Sequence, residues 1–246
     1  MTFDTAFKHL YAEELAPYGF KKIKGRRAHF ARMVGDEIVQ IITYQNRPGF
    51  RPYRDFIIMW GVATVYRRKM DLQASLYNAA WLRSTGRIKE RTYFEYRDES
   101  LIRERGNAFG GNDVDMMEEL RYSVEVTKET VLPQLDKIRT LRDCWKTMMH
   151  SFYIHDFEIN GLEEDEGMLN FILFDFEEFE AERRKVIENI DDEDRDRERR
   201  IRIMNEQIET FRKYTKDEDY NRRAKEELER RKIQNQEILR SYGLEF

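Results

Sequence analysis

A single cysteine, Cys144, in 246 residues leaves no intrachain disulfide and no cysteine-built zinc site. That usage fits a reducing compartment. Four prolines and 12 glycines supply no Pro-rich or Gly/Ser-rich linker, so any domain boundary near residues 150–166 is a soft one. No run approaches the roughly 18 apolar residues of a membrane span. The opening MTFDTAFKHLYAEEL carries acids where a secretory signal has an apolar core. A cytoplasmic protein with no membrane contact is expected. The four histidines are His9, His29, His150 and His155. The last two stand five apart, which is not the i, i+4 step of a helical metal pair. The glycines between Gly106 and Gly111 lack the Lys-Ser/Thr of a phosphate loop. No metal and no cofactor is expected.

What the chain has in excess is charge. Charged residues are 37% and apolar ones 40%. The charge is also sorted. From Asp156 to Phe246 there are 28 acids against 18 bases, and from Met1 to His155 there are 20 acids against 26 bases. The total of −4 therefore hides a basic front and an acidic back. Two domains follow: 1–155, and an acidic, mostly helical extension over 156–246. Such parts either pack on each other or face separate partners.

Phe3, Phe7, Leu10, Tyr11 and Leu15 recur at helical steps, and Pro17 and Gly19 end that helix. Ala28–Met33 and Glu37–Gln45 read as strands around a Gly35-Asp36 turn. Asn46–Arg54, with two prolines, reads as a loop. Phe56–Val65 is apolar on both alternating sets, which suits a strand covered on both faces. Lys69–Leu82 reads as a helix or an irregular excursion, Lys89–Tyr96 as a fourth strand, and Gly106–Asn112 as a turn. Val114–Leu132 reads as a helix with Pro133 just past its end, and Thr140–Met149 as another. The back third reads as one or two long helices. There Ile201, Met204, Ile208 and Phe211 give a stripe too short for a coiled coil. The fold class is α+β: a mainly antiparallel sheet of about four strands, covered by helices, with a charged helical C-terminal extension.

Several residues of the front half carry a resemblance. They are Leu15, Gly19-Phe20-Lys21-Lys22, Gly25, Phe30 and Arg32, then Gly35-Asp36, Ile42 and Gln45, and later Val131-Leu132-Pro133 with Leu135-Asp136. In this order they resemble a bacterial domain-of-unknown-function family, over roughly Met1 to Met149. The resemblance implies a small α+β domain with no agreed activity, and an accessory or immunity-type role. The extension after His155 falls outside it.

Three surface readings follow. The basic residues Lys21, Lys22, Lys24, Arg26, Arg27 and Arg32 could hold nucleic-acid phosphates, or form a solvated loop. Gln40 and Gln45, with Tyr44, Asn46 and Arg47, could line a polar cleft or simply alternate along a half-exposed strand. Tyr44, Phe50, Tyr53 and Tyr66 flank arginines, and Tyr and Arg are enriched in binding hot spots. The leading expectation is a non-catalytic protein-binding module whose partner is another protein. Nucleic-acid binding is second, and a hydrolase with an unrecognised site third. A homodimer through the helical extension is also open. Cys144 sits beside Trp145 and off the face of His150, which suits packing better than nucleophilic chemistry.

Overall fold

The computed structural model describes residues 2–25, 28–47, 54–67, 70, 81–85, 107–109, 113–144, 173–190 and 197–246. The chain divides into two compact units. One comprises 1–65, 70–144 and 236–246, and the other comprises 66–69 and 145–235.

The first unit is α+β. Helix α1 (Phe3–Leu15) is capped by Thr2, whose hydroxyl accepts the Thr5 N–H at 3.3 Å. Its exit is a 3-10 turn closed by two backbone bonds, Gly19 N–H to Ala16 O and Phe20 N–H to Leu15 O. This pair of bonds needs a left-handed residue, and Gly19 supplies it at φ +81°. Phe20 is thereby turned inward and buried.

Among the described residues six strands follow, all antiparallel to their neighbours: β1 (Lys21–Lys22), β2 (Phe30–Val34), β3 (Ile38–Arg47), β4 (Arg54–Thr64), β5 (Trp81–Thr85) and β6 (Asn107–Phe109). They run in the order β1-β2-β3-β4-β5, and β6 pairs with the start of β4. Gly35 turns the β2–β3 hairpin at φ +60°. On one face of the sheet lie Phe30, Ile42, Tyr44, Phe56 and Trp60. Phe3, Phe7 and Tyr11 of α1 pack there, with centroids 4.7 Å apart for Phe3–Phe56 and 4.5 Å for Phe7–Tyr44. Val39, Ile41, Met59 and Ala63 on the opposite face are buried too. The central strands are thus covered on both sides, as their double apolar pattern requires.

Helix α2 (Asp113–Val126) passes through a π turn (Thr127–Val131) into the short α3 (Leu132–Leu135). The helix was expected to stop before Pro133, but it runs through it. Proline has no N–H to give and crowds the carbonyl four residues back. The widened turn, in which Leu132 N–H reaches Thr127 O, supplies the room. The Tyr11 hydroxyl lies buried between Ser123 Oγ (2.9 Å) and Thr127 Oγ1 (3.2 Å), tying α1 to this helix. Thr140 and Asp143 then cap each other's N–H groups at 2.9 and 3.1 Å, and residues 141–144 are helical.

Other expectations need correcting. Trp81–Thr85 is a strand, and its start overlaps the stretch read as helical or irregular. Asn107–Phe109 is a strand where a turn was expected; pairing with β4 overrides its glycine-rich surroundings. Asn46, Arg47 and Arg54 belong to strands, because the β3–β4 ladder continues to the Arg47–Asp55 pair. The expected strand Lys89–Tyr96 and the residues after Cys144 in the expected Thr140–Met149 helix lie outside the described residues.

The second unit holds α4 (Phe176–Glu188), α5 (Arg197–Thr215) and α6 (Glu218–Ser241) up to Asn235. So the back third has three helices among the described residues, where one or two were expected. Asp175 caps α4 by accepting the Glu178 N–H at 2.8 Å. Asp217 caps α6 through the Tyr220 N–H, and Asn221 Nδ2 donates back to the last carbonyls of α5 at Tyr214 and Thr215. The stripe Met204, Ile208, Phe211 is buried, with Phe211 against Phe179 at 4.4 Å. It is engaged inside the chain. These three helices carry 14 acids and 16 bases. The acidity of the back third therefore lies in the sequence between and before them, chiefly at 156–166 and 191–196.

Candidate functional site

The residues singled out in the sequence separate into two groups. Arg32 and Gln40 point into the first unit. Arg32 donates from Nε to Gln40 Oε1 (2.7 Å), from one terminal nitrogen to Tyr18 O (2.8 Å) and from the other to Asp136 Oδ1 (2.5 Å). Its guanidinium also lies 4.7 Å from the centre of the Phe20 ring. Gln40, fully buried, gives both its amide hydrogens to the chain, at Leu135 O (2.7 Å) and Ile138 O (3.1 Å). All three guanidinium nitrogens and the whole carboxamide are thus committed to joining β2, β3 and the turn after α3. Arg32 is a strut between elements, and Gln40 is enclosed, so neither is placed to meet a phosphate or a polar ligand.

Tyr44 is half-buried. Its ring packs between Phe3 and Phe7, and its hydroxyl donates to Asp4 Oδ1 at 2.9 Å. Burial first, and the Asp4 carboxylate second, push its phenol above the ordinary tyrosine range. Asp4 is shared with Lys8 of the next helical turn.

The second group runs along β1 and β3. Lys21 and Lys22 are exposed on the edge strand β1, and Lys21 pairs with Glu245 at 3.0 Å, where water screens the pair. Lys24 is exposed just beyond. Gln45 and Arg47 occupy β3 positions opposite Ile57 and Asp55. Arg26, Arg27 and Tyr53 lie outside the described residues.

The backbone brings Lys24, Gln45 and Arg47 to one end of the sheet. Strand β2 pairs with β3 only as far as Phe30–Ile42, whereas β3 and β4 continue together to Arg47–Asp55. The β3–β4 arm therefore outruns β2 by five residues, Thr43 to Arg47. The same end receives the β1–β2 connection. Ile23 N–H bonds His29 O at 2.9 Å across it, and Ala28 O accepts the Thr43 hydroxyl at 2.9 Å. Lys24 and Gly25 lie in that connection. From Lys21 to Arg54 the chain has nine bases and two acids. The two acids, Asp36 and Glu37, stand in the β2–β3 turn at the opposite end of the strands. Eight residues separate Asp36 from Tyr44, roughly 25 Å of strand. Lys24 and Arg47 thus come to the same end of the sheet, where Asp55 stands opposite Arg47 and Asp4 accepts from the Tyr44 hydroxyl.

Sequence reasoning found the basic and aromatic residues but missed Asp136 as the partner of Arg32, and missed the overhang. Asp136 lies 104 positions from Arg32, beyond any local pattern. The overhang depends on where β2 stops, which a run of strand-forming residues does not specify. Elsewhere, an open concavity of about 730 Å³ is lined by Glu198, Ile201, Arg202 and Glu209 along one flank of α5. No group of three or more metal-ligating side chains occurs among the described residues. No helix among them is long and apolar enough to cross a membrane. Compared with known proteins, the chain matches no family model, no curated protein and no solved structure.

Proposed function

We infer that this chain is a non-catalytic protein-binding module, working in the cytoplasm as an accessory or immunity-type protein. The observation that carries the reading is the projecting β3–β4 arm, five residues longer than the β2 strand beside it. Thr43, Tyr44 and Phe56 of this arm serve the core, Tyr44 and Phe56 by packing on Phe3, and β3 continues past them to Asn46 and Arg47. The sequence at its end, RPGFRPYR, is rich in the residue types that dominate binding hot spots. The nucleic-acid reading keeps Lys21, Lys22 and Lys24 but not Arg32, whose nitrogens serve the fold.

The test is affinity capture from cell extract, read by mass spectrometry, with full-length protein and with the double variant Arg47→Glu, Tyr53→Ala. Tyr44 is left intact because it packs against α1. A partner recovered by the wild type and lost by at least tenfold in the variant supports the reading. Recovery of the same proteins by both overturns it. Salt-sensitive retention of an oligonucleotide, weakened by Lys21→Glu and Lys22→Glu, would favour the nucleic-acid alternative.

A further inference from the structure

Three separated stretches of the first unit meet at the edge strand β1. Both of its residues are exposed, and Lys24 is exposed just beyond. Lys22 stands opposite Phe30 and Lys21 opposite Ala31, so the two side chains leave opposite faces of the sheet. On the Lys22 side, the Arg32 fork draws Tyr18 O and Asp136 together, and Asp136 also accepts from Arg139 at 3.3 Å. Arg139 is thereby placed beside the exit of α1. On the Lys21 side, Lys21 pairs with Glu245, and the Arg240 guanidinium lies 4.8 Å from the centre of the Phe246 ring. Lys21, Lys22, Lys24, Arg139 and Arg240, all exposed, thus line this edge. The two acids among them are already engaged, Asp136 by two arginines and Glu245 by Lys21. Lys22, Lys24 and Arg240 have no carboxylate partner among the described residues. Three large apolar side chains are exposed among those residues, and two of them, Tyr18 and Phe246, flank the same edge.

We propose that this edge is a binding surface for single-stranded nucleic acid, with its cations on the phosphates and the Tyr18 and Phe246 rings against the bases. It goes beyond the protein-binding reading and uses none of the arm's residues. A row of cations alone fits any polyanion. The rings narrow the choice, because an unpaired base offers a flat face to an exposed ring, while a duplex keeps its bases stacked inside. Phosphate contacts position a strand without reading it, so the surface tolerates any sequence. The total charge of −4 gives the molecule no general attraction for polyanions, so retention reports a local surface. Arg139 and Arg240, from far along the chain, take the place that Arg32 held in the basic cluster of the sequence.

The experiment uses the full chain and a fluorescein-labelled oligothymidylate of about 12 nucleotides, followed by fluorescence anisotropy across a salt series. The expected result is saturable binding whose logarithmic salt slope is about −3, roughly 0.7 for each of the four cations other than Lys21. Lys22→Gln with Lys24→Gln should bring the slope to about −1.5, and Arg139→Gln with Arg240→Gln should do the same. Tyr18→Leu and Phe246→Leu should each weaken binding about fivefold or more with the slope unchanged, a split that general loss of structure does not produce. Variants that leave affinity and slope as they were overturn the proposal. So does a duplex of the same length that binds as tightly, since its bases are closed to the rings. Equal binding of polyglutamate overturns it in favour of an acidic protein, and salt-independent binding or none overturns it outright. The duplex and polyglutamate comparisons need no variant, so misfolding cannot blur them. Capture of no protein partner by the wild type would defeat the binding module and leave this surface standing.

Discussion

Glu227 on α6 accepts hydrogen bonds from two successive arginines. Arg230 grips both its oxygens at 2.7 Å, and Arg231 Nε donates to one of them at 2.8 Å. Arg231 is itself nearly buried and reaches Tyr66 O at 3.4 Å within the same unit. The Arg230 hydrogen bonds, then those of Arg231, hold the Glu227 carboxyl down at about 2, below its usual 4.5. The folded form therefore prefers the ionised group. Its contribution is fully present above about pH 4.5 and is lost as pH falls toward 2. Water reaches part of the carboxylate and screens the pair, so about 1 kcal/mol is expected. Glu227→Gln should lower stability at pH 6 by that amount and flatten its decline between pH 5 and pH 3. Urea denaturation at the three pH values measures both effects; equal slopes for variant and wild type would refute the assignment.

At the scale of elements, one side chain joins three of them. Arg32 on β2 holds Gln40 of β3, the exit of α1 at Tyr18, and Asp136 after α3. Only a planar fork spans three acceptors in these directions, and an ammonium cannot. Arg32→Lys should cost about 1 kcal/mol, chiefly through the buried Gln40 carboxamide losing its donor while water takes over at the exposed Tyr18 and Asp136, with the circular dichroism spectrum unchanged. A loss below about 0.5 kcal/mol in denaturant titration would mean the strut is dispensable. The elements themselves were largely legible in the sequence. The aromatic spacing of α1, the Gly35 turn and the two apolar sets of β4 each state a local preference that the fold obeys. What stayed illegible depends on distance. Gln40 looked like a polar strand residue because its acceptors, Leu135 O and Ile138 O, are some 95 residues away. Pro133 read as a stop signal because a π turn leaves no residue-type mark. Arg32 entered the basic cluster by proximity in sequence, although its side chain turns away from it.

At the scale of the molecule, the first unit is assembled from separated stretches. Residues 236–246 return to it after the whole second unit. Gln236 donates to Asp36 O at 3.0 Å in the β2–β3 turn, and Leu239 and Leu244 are buried. The end of α6 closes with the same two bonds as α1, here Gly243 to Arg240 and Leu244 to Leu239. Burying a leucine contributes about 1.5–3 kcal/mol, and a typical domain has about 5–15 kcal/mol in all. A chain ending at residue 235 should therefore lose a large share of the first unit's stability. Limited proteolysis should then cut it within residues 2–65 at least tenfold faster, and a peptide of residues 236–246 added in trans should restore part of the protection. Equal cleavage rates would show that the returning segment is not needed.

That return also sets an order of events during synthesis. A ribosome delivers the sheet first and the segment that completes its unit last. Between the two lie the 91 residues from 145 to 235, roughly 5–20 s of translation. Through that interval the nascent sheet waits without Leu239 and Leu244, with its β3–β4 arm already made. The stage at which the first unit most needs a chaperone thus falls between the release of residue 144 and the release of residues 236–246, whatever the stability of the folded unit.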